Sequence, residues 1–215
     1  MLVEAIMKIV PSIALLFALT LTACAQQFEG KIIYQNKYKS KIAAVSDEQM
    51  TGMMGSRQEY FIKGGNYKSV TDGTYLQWQI YINRDNRLYN KFSNSDTIVW
   101  NDGGTAGEPV LEVLQRKDVT EILGYKCDEL TLKRKNKTAT YYFNQRLSVD
   151  EIMYSKHLFG GWHEYLKLAR ALPLKGVIDT PEFTLTTTAV EVIPMKIEDK
   201  EFILPQNVKI QRNPN

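Results

Sequence analysis

From Phe28 onward the hydrophobic positions alternate with polar ones. Phe28, Gly30, Ile32, Tyr34 and Tyr38 share one face of an extended segment, and Glu29, Lys31, Gln35 and Lys37 share the other, which is the period of a half-buried strand. Residues 58–71 read QEYFIK, Gly64-Gly65-Asn66, YKSVT, a hairpin whose turn carries residues that accept positive φ. Leu76, Trp78, Ile80 and Ile82 then alternate with Tyr75, Gln77, Gln79 and Tyr81, and after Arg84-Asp85-Asn86 the chain returns through Leu88, Tyr89 and Phe92 to Ile98-Val99-Trp100. Further hairpins are predicted from Cys127 to Phe143 around Lys135-Asn136, and from Phe183 to Gln211 around Glu198-Asp199-Lys200. Strands joined by such short local connections form an antiparallel meander.

Two segments depart from this period. Ser46-Asp47-Glu48-Gln49 has the spacing of a capping box and predicts a short helix carrying Met50, Met53 and Met54. Ser148 and Glu151 repeat the spacing and predict a second helix running in pieces towards Leu172, interrupted at Gly160-Gly161 and ended by Pro173. A long twisted meander leaves one apolar face to be covered, and two short helices suit partial closure. The predicted fold is therefore mainly β, an antiparallel meander forming a half-open barrel with short lid helices. Its concave interior either fills with side chains or holds an apolar ligand. Candidate lining residues are Ile32, Tyr34, Leu76, Trp78, Ile80, Leu130 and Phe143 on the strands, with Met50, Met53 and Met54 on the lid. Ordinary core packing explains the same aromatic residues and methionines equally simply.

The N-terminus changes the setting. Ile9–Ala23 is an uncharged apolar run that follows Lys8, too short for a bilayer span and disturbed by Pro11, and reads as the export signal of residues 1–23. Leu21-Thr22-Ala23-Cys24 resembles the lipobox of bacterial lipoproteins, which implies lipidation at Cys24 and a single β-rich periplasmic domain over 24–215, facing the periplasm from the outer membrane. Ala23-Cys24-Ala25 also fits ordinary secretory cleavage, which would release a soluble periplasmic or secreted protein. With Cys24 acylated, Cys127 stands alone, with no internal disulfide, and reads as a small buried hydrophobe. The formal net charge of +3 gives no case for nucleic acid, and the basic run Lys133-Arg134-Lys135 with Lys137 falls at a predicted turn, where bases are solvated.

Two internal blocks extend the resemblance. Glu121-Ile122-Leu123-Gly124-Tyr125-Lys126-Cys127 and Ala171-Leu172-Pro173-Leu174-Lys175-Gly176-Val177-Ile178, with the opening FEGKIIYQ, resemble the GYKC and GLPGLI blocks of a group of Bacteroidetes envelope proteins. That group is similar in layout to the LolA/LolB-like carriers, whose half-open antiparallel barrel and helical lid enclose an apolar cavity. The resemblance implies a fold, and fold alone does not settle function.

Residues that would carry catalysis are few. His157 and His163 are six apart, which matches neither a helical metal pair nor a Cys/His cluster, and no nucleophile elbow or phosphate loop is present. The expectation is a non-enzymatic envelope lipoprotein without metal or cofactor, held to the membrane by its lipid and binding lipid or the acyl chains of another lipoprotein. The alternative is a structural or interaction module with a filled core that contacts an envelope protein partner.

Overall fold

A computed structural model of the chain describes residues 27–214. The export segment and Cys24 lie outside the described residues. Twelve strands form one open sheet: β1 (Gly30–Ser40), β2 (Arg57–Lys63), β3 (Asn66–Thr71), β4 (Leu76–Ile82), β5 (Arg87–Phe92), β6 (Ile98–Asp102), β7 (Glu112–Ile122), β8 (Tyr125–Lys133), β9 (Thr138–Ser148), β10 (Ala171–Asp179), β11 (Phe183–Pro194) and β12 (Ile210–Arg212). Their order is β12-β6-β5-β4-β3-β2-β1-β11-β10-β9-β8-β7, antiparallel throughout except for the β6–β12 pair. The described helices are α1 (Asp47–Met54) and α2 (Trp162–Ala169), with short 3-10 turns between elements. None is long and apolar enough to cross a membrane.

The sheet curves around one face. Tyr67 on β3 meets Trp162 at 6.2 Å between ring centres, Trp162 meets Tyr165 at 5.5 Å, and Tyr165 meets Tyr141 on β9 at 4.2 Å. In a flat sheet β3 and β9 would stand five strand spacings apart, roughly 24 Å. The concave face must therefore wrap α2, and because β12 and β7 remain unpaired to one another the barrel is half-open.

Local chemistry explains much of this framework. The β2–β3 turn places Gly64 and Gly65 at φ of 52° and 81°, where a side chain would be strained. The Ser46 capping box forms: Ser46 Oγ accepts from the Gln49 amide at 3.1 Å, and Gln49 Oε1 accepts from the Ser46 amide at 2.9 Å. The second helix begins later than the spacing predicts. Ser148 is the last residue of β9, Asp150 caps a 3-10 turn at 151–154, and α2 starts only after Gly160 and Gly161, both at positive φ. Pro173 does not end a helix but lies in β10 at an irregular register with β9, where its missing amide removes no regular ladder bond.

The predicted 183–211 hairpin does not form. β11 pairs with β1 and β10, and the chain then crosses the convex face, where Ile197 and Phe202 pack on Ile80, before β12 adds parallel to β6. Burial of these apolar residues on the convex face outweighs the local turn signal of Glu198-Asp199-Lys200. β7 was not predicted either. Residues 112–121 are exposed on both faces of this edge strand, so they carry no alternating signal.

Candidate functional site

The strands that line the concave face change character along their length. On β1, Ile32 and Tyr34 point into the core, Asn36 follows in the same register, and Tyr38 comes next. The half nearest Gly30 is a filled aromatic core. Ile32, Tyr34, Leu130 and Phe143 are all buried there with Tyr60, Ile62, Tyr154, Tyr165 and Leu172, beneath α2. Tyr34 Oη donates to the Pro173 carbonyl at 2.7 Å and Tyr165 Oη to the Ala171 carbonyl at 2.9 Å, so both rings are fixed by their polar ends. Loss of water pushes the hydroxyl pKa values of Tyr34, Tyr60, Tyr154 and Tyr165 far above the ordinary value, and all stay protonated. Four of the sequence candidates thus belong to packed interior.

His157 sits in this core as well. Its ring stacks at 3.9 Å on Tyr81 and 5.8 Å on Tyr67, and its Nε2 is 2.8 Å from Tyr67 Oη. Burial lowers its pKa from 6.5 to about 4, so the ring is neutral at pH 7. His163 lies on α2, and only backbone connects the two: its amide donates to the His157 carbonyl at 2.9 Å. Among the described residues no cluster of three or more His, Cys, Asp or Glu could hold a metal. Cys127 is fully buried, and desolvation raises its thiol pKa, which leaves it a poor nucleophile.

The other half of the concave face is an open groove of about 510 Å³. Met50 and Met54 of α1, with Tyr38, Ile42, Leu76, Phe183 and Leu185, give it apolar walls, and Glu182 sets one carboxylate in the lining. Its floor, Asn36, Gln58, Ser69 and Gln79, is part of a longer belt of neutral hydrogen-bonding side chains on neighbouring strands. Thr187 Oγ1 donates to Asn36 Oδ1 at 2.9 Å, Asn36 Nδ2 reaches Gln58 Oε1 at 3.4 Å, and Gln58 Nε2 donates to Ser69 Oγ at 2.9 Å. Gln79, opposite Ser69, donates to Asn90 Oδ1 at 2.7 Å. The belt crosses six adjacent strands from β11 to β5 without a charged group, and Asn36, Ser69 and Asn90 are buried.

Of the sequence candidates, Met50, Met54 and Leu76 line this groove. Met53 is 45% exposed and does not line it. Trp78 and Ile80 lie on the convex face with Phe61, Ile197 and Phe202. A register shift between Leu76 and Trp78 separates residues that alternation groups together: Leu76 pairs with Phe92 and Trp78 with Lys91, so one extra residue of β4 moves Leu76 to the concave side. The belt itself was missed, although one signal was readable. Asn36, Gln58, Ser69, Gln79 and Asn90 are polar residues in the inward register of five strands.

No protein-family model matches the chain, and no curated protein matches it. Among solved structures it is similar to PNGF-II in two space groups, at 12% identity and TM-scores of 0.48 and 0.49, with 86% of this chain aligned. The chain spans about a third of the length of PNGF-II, 32% and 31% in the two structures. It is also similar to the lipoprotein LppX of Mycobacterium tuberculosis, at 10% identity and a TM-score of 0.33, over 79% of this chain and 90% of that one. Likenesses this distant assign no function.

Proposed function

We propose that the protein is a non-enzymatic lipoprotein of the cell envelope, anchored by lipid at Cys24, that holds an amphipathic molecule in the groove beneath α1. The observation that carries this reading is the groove's two-sided chemistry. Methionine and aromatic walls adapt to an apolar chain, while the amide and hydroxyl floor offers donors and acceptors without net charge, which suits a neutral polar group on the same molecule. The filled half of the barrel does not take the ligand. Its role is to fix the strands whose far ends form the floor. The envelope setting rests on Leu21-Thr22-Ala23-Cys24 and on the likeness of the GYKC-type and ALPLKGVI segments to the Bacteroidetes envelope group, outer membrane and periplasm-facing.

A soluble fluorescent monoacylglycerol probe, an apolar chain with an uncharged head, titrated into the protein tests the reading. Saturable binding is expected, and Met54→Arg, which sets a charge against the apolar wall, should weaken it roughly tenfold or more, the effect of leaving an unpaired charge near a desolvated surface. Thermal unfolding should change little, because no residue of α1 is buried. Absence of saturable binding, or equal binding by Met54→Arg, would remove the groove as a ligand site. Replacing Cys24 by Ser is expected to move the protein out of the membrane fraction or to leave it unprocessed, and normal processing with unchanged membrane attachment would refute the anchor.

One observation favours the second reading, an interaction module. Edge strand β7 leaves one side of its backbone unpaired and exposes Val113, Leu114 and Val119, so it can add a strand from an envelope protein partner. The bulge between Arg116 and Thr120, where Asp118 takes φ of 51°, interrupts that edge and opposes such pairing.

A further inference from the structure

The geometry points to the end of the barrel at which Gln27 enters as a membrane-docking face, seated on the headgroups of the leaflet that holds the Cys24 lipid, with the groove opening away from it. This inference rests on the lipid anchor proposed above. Cys24 is three residues before Gln27, and three residues of extended chain reach roughly 11 Å. The amide of Phe28 is already fixed to the Ser148 carbonyl at 2.7 Å, so the tether cannot lengthen by peeling away without breaking the fold. That end must therefore lie at the membrane surface.

Its surface is built for such a place. The β7–β8 turn carries Leu123, 47% exposed, and the turn after β9 carries Ile152, 72% exposed. Met195, 45% exposed, lines one hollow with Gln27, Arg146 and Lys196. Arg146 also lies 4.9 Å over the ring of Tyr125, which joins this hollow to the Leu123 turn, and it shares a second hollow with Lys126. Among the described residues, Lys126, Arg146 and Lys196 form no ion pair, whereas the Glu29 carboxylate accepts from the Ile197 amide at 2.6 Å. Three acids face them: Glu121 stands opposite Lys126 in the ladder, and Asp118 and Asp128 line the hollow that Lys126 shares with Arg146, Asp128 being ion-paired with Lys117. Apolar tips with free bases at their rim match an interface where acyl chains begin below anionic headgroups.

The opposite end carries the groove. Along β1, Tyr38 is eight residues from Gly30, roughly 27 Å of strand. A ligand therefore reaches the groove from the aqueous side and not directly from the leaflet beneath. The same distance separates the two ends in the test.

Single cysteines replacing Leu123, Ile152 and Ile42 in the full chain, labelled with a fluorophore, report each position. Cys127 is fully buried and Cys24 carries lipid, so neither competes for label. The lipidated proteins are reconstituted into phosphatidylethanolamine vesicles with a minority of phosphatidylglycerol and a spin-labelled lipid as quencher. Quenching at 123 and 152 should exceed that at 42 by roughly threefold or more, since interfacial side chains sit within roughly 5–10 Å of the acyl boundary. Combined Lys126→Glu, Arg146→Glu and Lys196→Glu should reduce that ratio while the protein stays with the vesicles. Protein that remains soluble overturns the anchor and the face with it. Membrane-bound protein quenched equally at all three positions, or most at 42, overturns the face alone.

Discussion

Replacing Tyr165 by alanine is expected to cost the domain about 4 kcal/mol, the range for removing a fully buried large aromatic from a core that cannot close over the loss. Tyr165 is fully buried, packs on Tyr141 at 4.2 Å, Trp162 at 5.5 Å and Phe143 at 6.3 Å, and its hydroxyl satisfies the Ala171 carbonyl. The substitution removes the link between α2 and both β9 and β10, so the loss falls on the contact that holds the sheet in its curve. Trp78→Ala should cost only about 2 kcal/mol, because Trp78 is half-buried on the convex face and part of its surface is already in water. Urea unfolding followed by fluorescence and circular dichroism gives both values, provided the slope with denaturant is unchanged. A larger loss at Trp78 than at Tyr165 would mean that the convex cluster, and not the tyrosine core, carries the fold.

Acid should destabilise the protein through His157. The ring is neutral in folded and unfolded chains at pH 7, so it contributes no pH dependence there. An unfolded His takes up its proton near pH 6.5, while the folded one does so only near pH 4, because burial against the rings of Tyr67 and Tyr81 strips the cation of solvent. Between those values the unfolded state holds more protons, so stability falls as pH falls from about 6.5 to about 4 and this contribution is constant below that range. The loss amounts to about 3 kcal/mol at 1.36 kcal/mol for each pKa unit. His157→Phe keeps a ring in the stack and removes the proton site, at the expense of the Tyr67 hydrogen bond, about 1 kcal/mol. Glu59, Asp72 and Asp179 have hydrogen bonds that lower their pKa values and also weaken the fold in acid, but they do so equally in both proteins. Stability measured from pH 7 to pH 4 should therefore fall more steeply in the parent chain. Parallel curves would show that His157 takes up its proton in the fold at an ordinary pH.

The sequence determined whatever depends on neighbours along the chain. The β2–β3 turn follows from Gly64 and Gly65, the α1 start from Ser46 and Gln49, and the predominance of strands from alternation in Phe28–Tyr38 and in 76–82. From these the half-open, mainly β architecture was legible. Tertiary structure decided which face of each strand is covered and by what. Alternation says that two residues share a face but not whether α2, α1, the 195–204 crossing or water lies over it, and a single extra residue at Gln77 was enough to send Leu76 and Trp78 to opposite sides. Strand β7 escaped because an exposed edge exerts no pressure towards alternation, and β12, expected as the second arm of the 183–211 hairpin, pairs with β6 instead. The groove floor is the extreme case. Asn36, Gln58, Ser69, Gln79 and Asn90 lie up to 54 residues apart in the chain, and their belt exists only because antiparallel register sets these five residues side by side across β1 to β5, where Asn36 meets Gln58, Gln58 meets Ser69 and Gln79 meets Asn90.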